Sequence, residues 1–530
     1  MTKKPHKHDV MTATLLKKIG KAYPKEFKRV WAQIEDHGDI DPTFTEEMGI
    51  CYDKKERSMS RIAYGVIDLG FGDSGKGTIV DFLTRHTGAK LVVRFNGGAQ
   101  AGHNVVTTDG KHHTFSQFGS GSLVPGVKTV LSQDVAIHPI ALQAEAKHLE
   151  SLGVANPMEN LIIHEKCLIT TPYHQALNCI RELYRGAQRH GSCGVGFGET
   201  IRYSQPSGDG NVISDMAVIR AKDLLGYPMA TPLLRMKLQV LREKIRSEIK
   251  HIPRQPTIPK RDQYLNFEEL VTINKWHEVL ALEKNVDVIA ELLTAAINPN
   301  NIWSTGMIAP LINGTEVVIF EGAQGVLIDE DWGFAPYNTW SKTTGRNILN
   351  VAPFLKSKLH MIGVIRAYPT RHGPGPFPTF SRNTTVAFPD VHNPTNRWQG
   401  ELRTGLFDMC LFRYALDACY ADLPMDGLAI THLDQVDRAG VWPYADMYLL
   451  DGRTKNRDEI SLGLRNFDTY MRGTALEKYT PHYLYRGGGS PWTVSSLIES
   501  FANGPRVWIK SFGPTARDKE TTDLLPLPTT

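Results

Sequence analysis

The stretch "GFGDSGKG", Gly70 to Gly77, constrains this chain more than any other. It follows the apolar run "IAYGVIDLG" and precedes "KGTIVDFLTRH", whose apolar residues fall at helical spacing. A strand, a Gly-rich turn and a helix together present main-chain N–H groups and a positive helix end to an anion. The segment therefore reads as a phosphate cradle, with Lys76 as its point charge. Two features set it apart from an ordinary triphosphate loop. Asp73 stands inside the turn, and Gly77 replaces the Ser or Thr that normally follows the Lys and binds magnesium. Asp73 has the chemistry to ligate magnesium through one oxygen, or to act as a base on a substrate beside the γ-phosphate.

Further apolar, β-branched runs recur: "KLVVRF", "EVVIFEG", "MIGVIRAY", "GLAITHLD" and "RVWIKSFG". Helical stretches such as "ALQAEAKHLESLG" separate them. This alternation predicts an α/β fold, a central mostly parallel sheet with helices on both faces. Residues 1–60 read as a polar N-terminal helical extension, and 61–525 as the main domain. A mostly helical subregion is expected at about 205–315, broken by "HIPRQPTIPKRDQ". Sixty Lys and Arg against 56 Asp and Glu leave a net charge of +4, which gives no support for nucleic acid or a membrane as partner. The six cysteines form no CxxC pair, no secretory h-region opens the chain, and no apolar run approaches the roughly 18 residues of a membrane span. A reduced, cytoplasmic setting is expected.

Downstream, "RFNGGAQAGHNVV" adds a second Gly-rich turn after a strand, followed by "FEGAQG" (320–325), "TRHGPGPFPT" (370–379), "THLD" (431–434) and "SFGP" (511–514). Six separated motifs in this order resemble the adenylosuccinate synthetase family, from about residue 62 to about 520. The resemblance implies a GTP-dependent ligase that joins IMP to aspartate, using magnesium and working as a homodimer. It implies that Asp73 takes the proton from ring nitrogen 1 of the purine, that His103 stabilises charge at the 6-oxygen, and that Gln324 contacts the purine. GTP would be held by Ser74, Gly75, Lys76, Gly77 and Thr78, with Asp434 reading guanine beside Ser511, Gly513 and Pro514. Magnesium would be held by Asp73 and the main-chain carbonyl of Gly102.

The implied chemistry accounts for a carboxylate inside the phosphate loop. The purine 6-oxygen leaves poorly until it has accepted the γ-phosphoryl group, and removing the neighbouring ring proton makes it nucleophilic. An amine then displaces phosphate. One loop holds both the triphosphate and the base.

Departures from the family pattern cluster away from phosphoryl transfer. The amino-acid loop, Thr- and Arg-rich in the family, reads "NRWQGELRTGLFD" and keeps Arg397, Gln399 and Arg403 around Glu401. A Glu there repels an acidic donor, so either the loop is rebuilt or the amine is not aspartate. The expectation is that Glu401 is buried, paired with an Arg or facing a substrate cation. At the purine-nucleotide end, Gln100 and the pair Ser192 and Cys193 replace an Asn and two Thr, while Thr339 remains. Arg202 is the nearest candidate for a partner-subunit Arg, and His432 replaces a Lys in the guanine strand. Variants with a deoxy or 2-amino purine, or a GTP and purine sensor with reduced catalysis, are the alternatives. Cys193 reads as a small turn residue, the "KHHT" and "PHKH" histidines as solvated, and "LFRYALDACY" as core.

Overall fold

A computed structural model describes residues 61–528 apart from 206–215, 227–228, 253–266, 485–488 and positions 389, 391–392, 394 and 396–397. The expected extension at 1–60, with its "PHKH" histidines, lies outside the described residues, as does Arg397.

Ten strands make the central sheet: β1 (Ile62–Asp68), β2 (Leu91–Arg94), β3 (Lys128–Leu131), β4 (Leu161–His164), β5 (Ile302–Trp303), β6 (Val317–Gly325), β7 (Leu359–Arg366), β8 (Gly427–Thr431), β9 (Arg506–Ser511) and β10 (Lys519–Thr521). Their spatial order is β5-β4-β3-β2-β6-β1-β7-β8-β9-β10. Every neighbouring pair is parallel except β9 and β10, which close one edge as an antiparallel pair. Strand β1 is buried at all seven positions. A strand buried along its whole length, apolar or glycine up to its terminal Asp68, is what a parallel sheet covered on both faces requires.

One apolar cluster packs Ile67, Phe320 and Ile365 against the helix Met409–Tyr420, so the "LFRYALDACY" stripe is core, as its pattern suggested. The 205–315 region holds the helices Pro232–Glu248, Phe267–Ala281, Asn285–Ala295 and Thr305–Gly314, and also supplies β5. Leu238, Leu241 and Leu293 bury there in a separate cluster. Residues 61–528 form one compact unit. Among the described residues no helix is long and apolar enough to cross a membrane.

The "KHHT" histidines correct the sequence reading. They lie on a short strand, His112–Phe115, whose residues alternate between exposed and buried. Alternation leaves His112 in solvent but buries His113, with Nδ1 2.7 Å from His148 Nδ1 and the ring 4.4 Å from that of Phe115.

Candidate active site

In a parallel sheet every strand delivers its carboxyl end to the same side, and ligands collect there. Strand β1 ends at Asp68, β2 runs on to the turn 96–102, β6 ends at Gln324 and Gly325, β7 at Arg366, β8 at Thr431 and β9 at Ser511. All of these ends border or support one cavity of about 910 Å³.

The phosphate loop is built around Asp68. Its buried carboxylate accepts from Gly70 N (2.7 Å), Ser74 N (2.9 Å), Ser74 Oγ (2.8 Å) and Lys76 Nζ (3.0 Å). Ser74 thus faces inward to Asp68, while Gly75, Lys76, Gly77 and Thr78 line the cavity. Gly77 now has a physical reason. A Cβ there would lie 2.8 Å from His103 Cβ, so the hydroxyl residue of an ordinary loop has no room. Gly325 is constrained in the same way, since its Cβ would meet Gly70 O at 2.2 Å. The loops after β1 and β6 are in backbone contact.

Asp73 and Gln324 both line the cavity, and both sit at positive φ, 59° and 63°. Non-glycine residues in that region carry strain that the surroundings must hold. Arg366 holds Asp73 O at 3.3 Å while bound to Asp390 at 3.0 Å and the Tyr368 hydroxyl at 3.1 Å. Asn96 holds the Gln324 turn through Ala323 N (2.7 Å) and Ala323 O (3.1 Å). Burial raises the Asp73 carboxyl above its ordinary value, and His372 and Lys76 oppose it. His372 Nε2 lies 3.8 Å from Asp73 Oδ2.

His103 is buried with Nδ1 2.6 Å from Glu321 Oε1. Burial pushes this imidazole down to about 4, against the pull of Glu321. Burial also opposes the Glu321 anion, but the Arg94 charge and His103 outweigh it and hold the carboxyl at about 2. Glu321 accepts as well from Ser120 N (2.9 Å) and Ser120 Oγ. A neutral imidazole beside an ionised carboxylate donates from Nδ1, which leaves Nε2 for a ligand. Both amide atoms of Gln100, and Oε1 of Gln324, are buried without a hydrogen-bond partner. Orphaned amides in a cavity wall are what a polar ligand satisfies.

At the other end, Asp434 opens the helix Leu433–Ala439 and accepts from Gln435 at 3.0 Å and Arg438 at 3.3 Å. Ser511, Gly513 and Pro514 line the same cavity, as do Gly102, Ser192, Cys193, Thr339 and Gln399. Burial lifts the Cys193 thiol to about 11, in keeping with a turn residue.

The expectation for the amino-acid loop fails here. Glu401 is exposed and does not line the cavity, because the strand Leu402–Thr404 alternates and sends Leu402 inward instead. Arg403 is turned away too, donating to Gly375 O at 3.0 Å with its guanidinium 5.7 Å from the Phe377 ring. Arg202 lines the cavity. Glu199 at 2.9 Å and Glu248 at 2.8 Å, both of its own chain, hold it.

Sequence reasoning missed Asp68, Glu321, Arg366 and Asn96. Asp68, Arg366 and Asn96 are polar residues at or just past the carboxyl end of an apolar strand, and Glu321 is a charge inside one; those positions were the available signal.

Fold and site define a class: an α/β enzyme whose cavity is walled by a Gly-rich loop with a carboxylate inside it. The chain belongs to the adenylosuccinate synthetase family, whose model matches residues 65–471, and it is a GTP-dependent ligase. The adenylosuccinate synthetase of Vibrio vulnificus is 31% identical over 451 residues, 82% of this chain and 90% of that protein. The Psychromonas ingrahamii enzyme is 31% identical over 385 residues, covering 70% and 77%. A fully ligated adenylosuccinate synthetase from Plasmodium falciparum superposes with a TM-score of 0.65 at 20% identity, over 88% of this chain and all of that one. Cyanophage S-2L succinoaminodeoxyadenylate synthetase, bound to dGMP and dATP, gives a TM-score of 0.50 at 14% identity, over 87% and 96%.

Proposed function

We propose that this ligase activates the 6-oxygen of IMP, or of a related 6-oxo purine nucleotide, with GTP and then couples the purine to an amino-acid amine. The observation that carries the reading is the convergence of Asp73, the Lys76 loop, the His103–Glu321 pair and the orphaned amides of Gln100 and Gln324 on one cavity. Asp73 takes the ring N1 proton, and the 6-oxygen attacks the γ-phosphorus as GDP leaves. The triphosphate's negative charge favours the imidazolium of His103, which then donates from Nε2 to the oxygen carrying the developing charge. Attack of the amine at carbon 6 expels phosphate. Gln324 and Gln100 orient the purine nucleotide with Ser192, Cys193 and Thr339, and Asp434 with the 511–514 turn reads guanine.

The donor set suits magnesium: one free carboxylate oxygen of Asp73 and the Gly102 carbonyl, with phosphates completing the sphere. Bound there, the ion would neutralise charge on the transferring phosphoryl group. Among the described residues no cluster of three His, Cys, Asp or Glu is placed to hold a metal ion. We assign the chain a cytoplasmic homodimer.

A second reading concerns the amine. Among described residues 398–403, only Gln399 lines the cavity, and it offers an amide where the family pattern offers guanidinium groups. A donor with less negative charge than aspartate fits that wall. The test is incubation with IMP, GTP and magnesium, amino acids supplied one at a time, and mass spectrometry of the product. A 6-N-substituted purine nucleotide formed with GDP and phosphate is the expected result; GTP hydrolysis without any purine adduct contradicts it.

A further inference from the structure

Lys519, the first residue of β10, has no part in the chemistry above, yet it is buried at 8% exposure. Its ammonium donates to Thr78 Oγ1 (2.5 Å), Gly513 O (2.8 Å) and Thr515 O (2.8 Å), which uses all three of its protons. Among the described residues it has no ion-pair partner within 4.0 Å. A buried ammonium is costly unless its donors are satisfied, and here one hydroxyl and two carbonyls do that.

The three acceptors come from two different parts of the site. Thr78 lies in the first turn of the helix Lys76–Thr87, two residues after the phosphate-loop Lys, and its own hydroxyl donates to Pro514 O at 2.8 Å. Gly513 and Thr515 belong to the turn that follows β9. That turn is also closed from within: Asp518 Oδ2 accepts from Thr515 N and Thr515 Oγ1, each at 2.7 Å, and Phe512 N donates to Asp518 O at 2.8 Å. Lys519 and Thr78 thus join a self-closed turn at the base end of the cavity to the helix at its phosphate end.

We propose that Lys519 is a positioning residue for GTP, setting the distance between the elements that hold the base and those that hold the phosphates. This rests on the reading of Asp434 and residues 511–514 as the base site. Lys519 acts on nucleotide affinity and base discrimination and leaves phosphoryl transfer alone. Burial lowers its ammonium to about 8, against the pull of Asp518, Asp81 and Asp434. The charged groups facing it are those three carboxylates and Arg85, which pairs with Asp81.

The experiment measures steady-state kinetics of the full chain as Lys519→Met, Lys519→Arg and Asp434→Asn, with GTP, ITP and ATP varied and the other substrates saturating. Lys519→Met is expected to raise KM for GTP about tenfold, the scale of one lost charge-assisted hydrogen bond, with kcat within about twofold. Lys519→Arg recovers part of the loss, and wild-type KM climbs between pH 7 and 9 while that of Lys519→Met stays flat. Unchanged KM in a folded Lys519→Met protein, or a fall in kcat at constant KM, overturns the proposal. Should Lys519→Met not fold, a wild-type KM that is flat across that pH range overturns it as well. Asp434→Asn separates the two levels: unchanged base preference there defeats the base-site reading, whereas a changed preference with a silent Lys519→Met defeats only the role of Lys519.

Discussion

Replacing Glu321 by Gln tests the His103 arm of the mechanism and has a magnitude that can be worked out. The carboxylate receives His103 at 2.6 Å and Ser120 N at 2.9 Å inside a fully buried pocket near the Arg94 charge. Holding that carboxyl at about 2 in place of its ordinary 4.5 corresponds to roughly 3 kcal/mol favouring the ionised form. A depressed carboxylate contributes stability that is complete above pH ~4.5 and is lost as pH falls through about 2. At neutral pH the wild type therefore holds all of it. Gln also turns an amide N–H toward the Ser120 donors in a buried pocket, a loss of about 1–3 kcal/mol for buried polar groups left unsatisfied. Urea denaturation at pH 7 reads this directly. In the folded fraction, His103 keeps at most a neutral amide acceptor in place of the anion that stabilises its imidazolium, and kcat is expected to fall about 10²–10⁴-fold, the scale of general acid–base assistance. GTP affinity by calorimetry should move only a few-fold. A folded Glu321→Gln protein with kcat within fivefold of wild type refutes the reasoning, since something other than Glu321 would then orient His103.

Gly77→Ser restores the residue an ordinary phosphate loop carries, yet it should lower stability by about 1–3 kcal/mol through overpacking against His103 and reduce turnover, read by thermal melting and phosphate release. Glu401→Arg should change the amine's KM by less than about threefold because the position is exposed and outside the cavity; a tenfold change would place residue 401 on the donor. His103 and His174 are held down by burial to about 4 and about 3, so they stay neutral when folded and take up protons on unfolding below pH ~6.5. Stability is therefore lost as pH falls from ~6.5 toward 4, each group steepening the dependence by up to about 1.4 kcal/mol per pH unit, and His174→Gln should flatten denaturation midpoints across that range.

The six runs read as strands from the sequence are β1, β2, β6, β7, β8 and β9, six adjacent strands at the heart of the sheet. They were legible because strands buried on both faces are continuously apolar. Strands β3, β4, β5 and β10 flank them, and β5 and β10 have two and three residues, too few for periodicity to register. The cavity-lining motifs were legible because glycine and charge in sequence mark close backbone approach and phosphate contact. The supporting residues were not, because Asp68 and Glu321 matter through partners six and 218 residues away. Glu401 shows the opposite limit: a charge in a functional loop reads as buried, yet it stands exposed just before the strand Leu402–Thr404.

In the proposed mechanism Asp73 lets the purine oxygen take the γ-phosphoryl group of GTP before any amine arrives. Positional isotope exchange measures that step alone: GTP labelled with ¹⁸O at the β,γ-bridge is incubated with IMP and magnesium, without amino acid, and the label's migration to non-bridging β-oxygens is followed. The account predicts migration in the wild type that depends on IMP and disappears in Asp73→Asn. Migration that persists undiminished in Asp73→Asn, or its absence from a wild type shown to form the purine product, would contradict it.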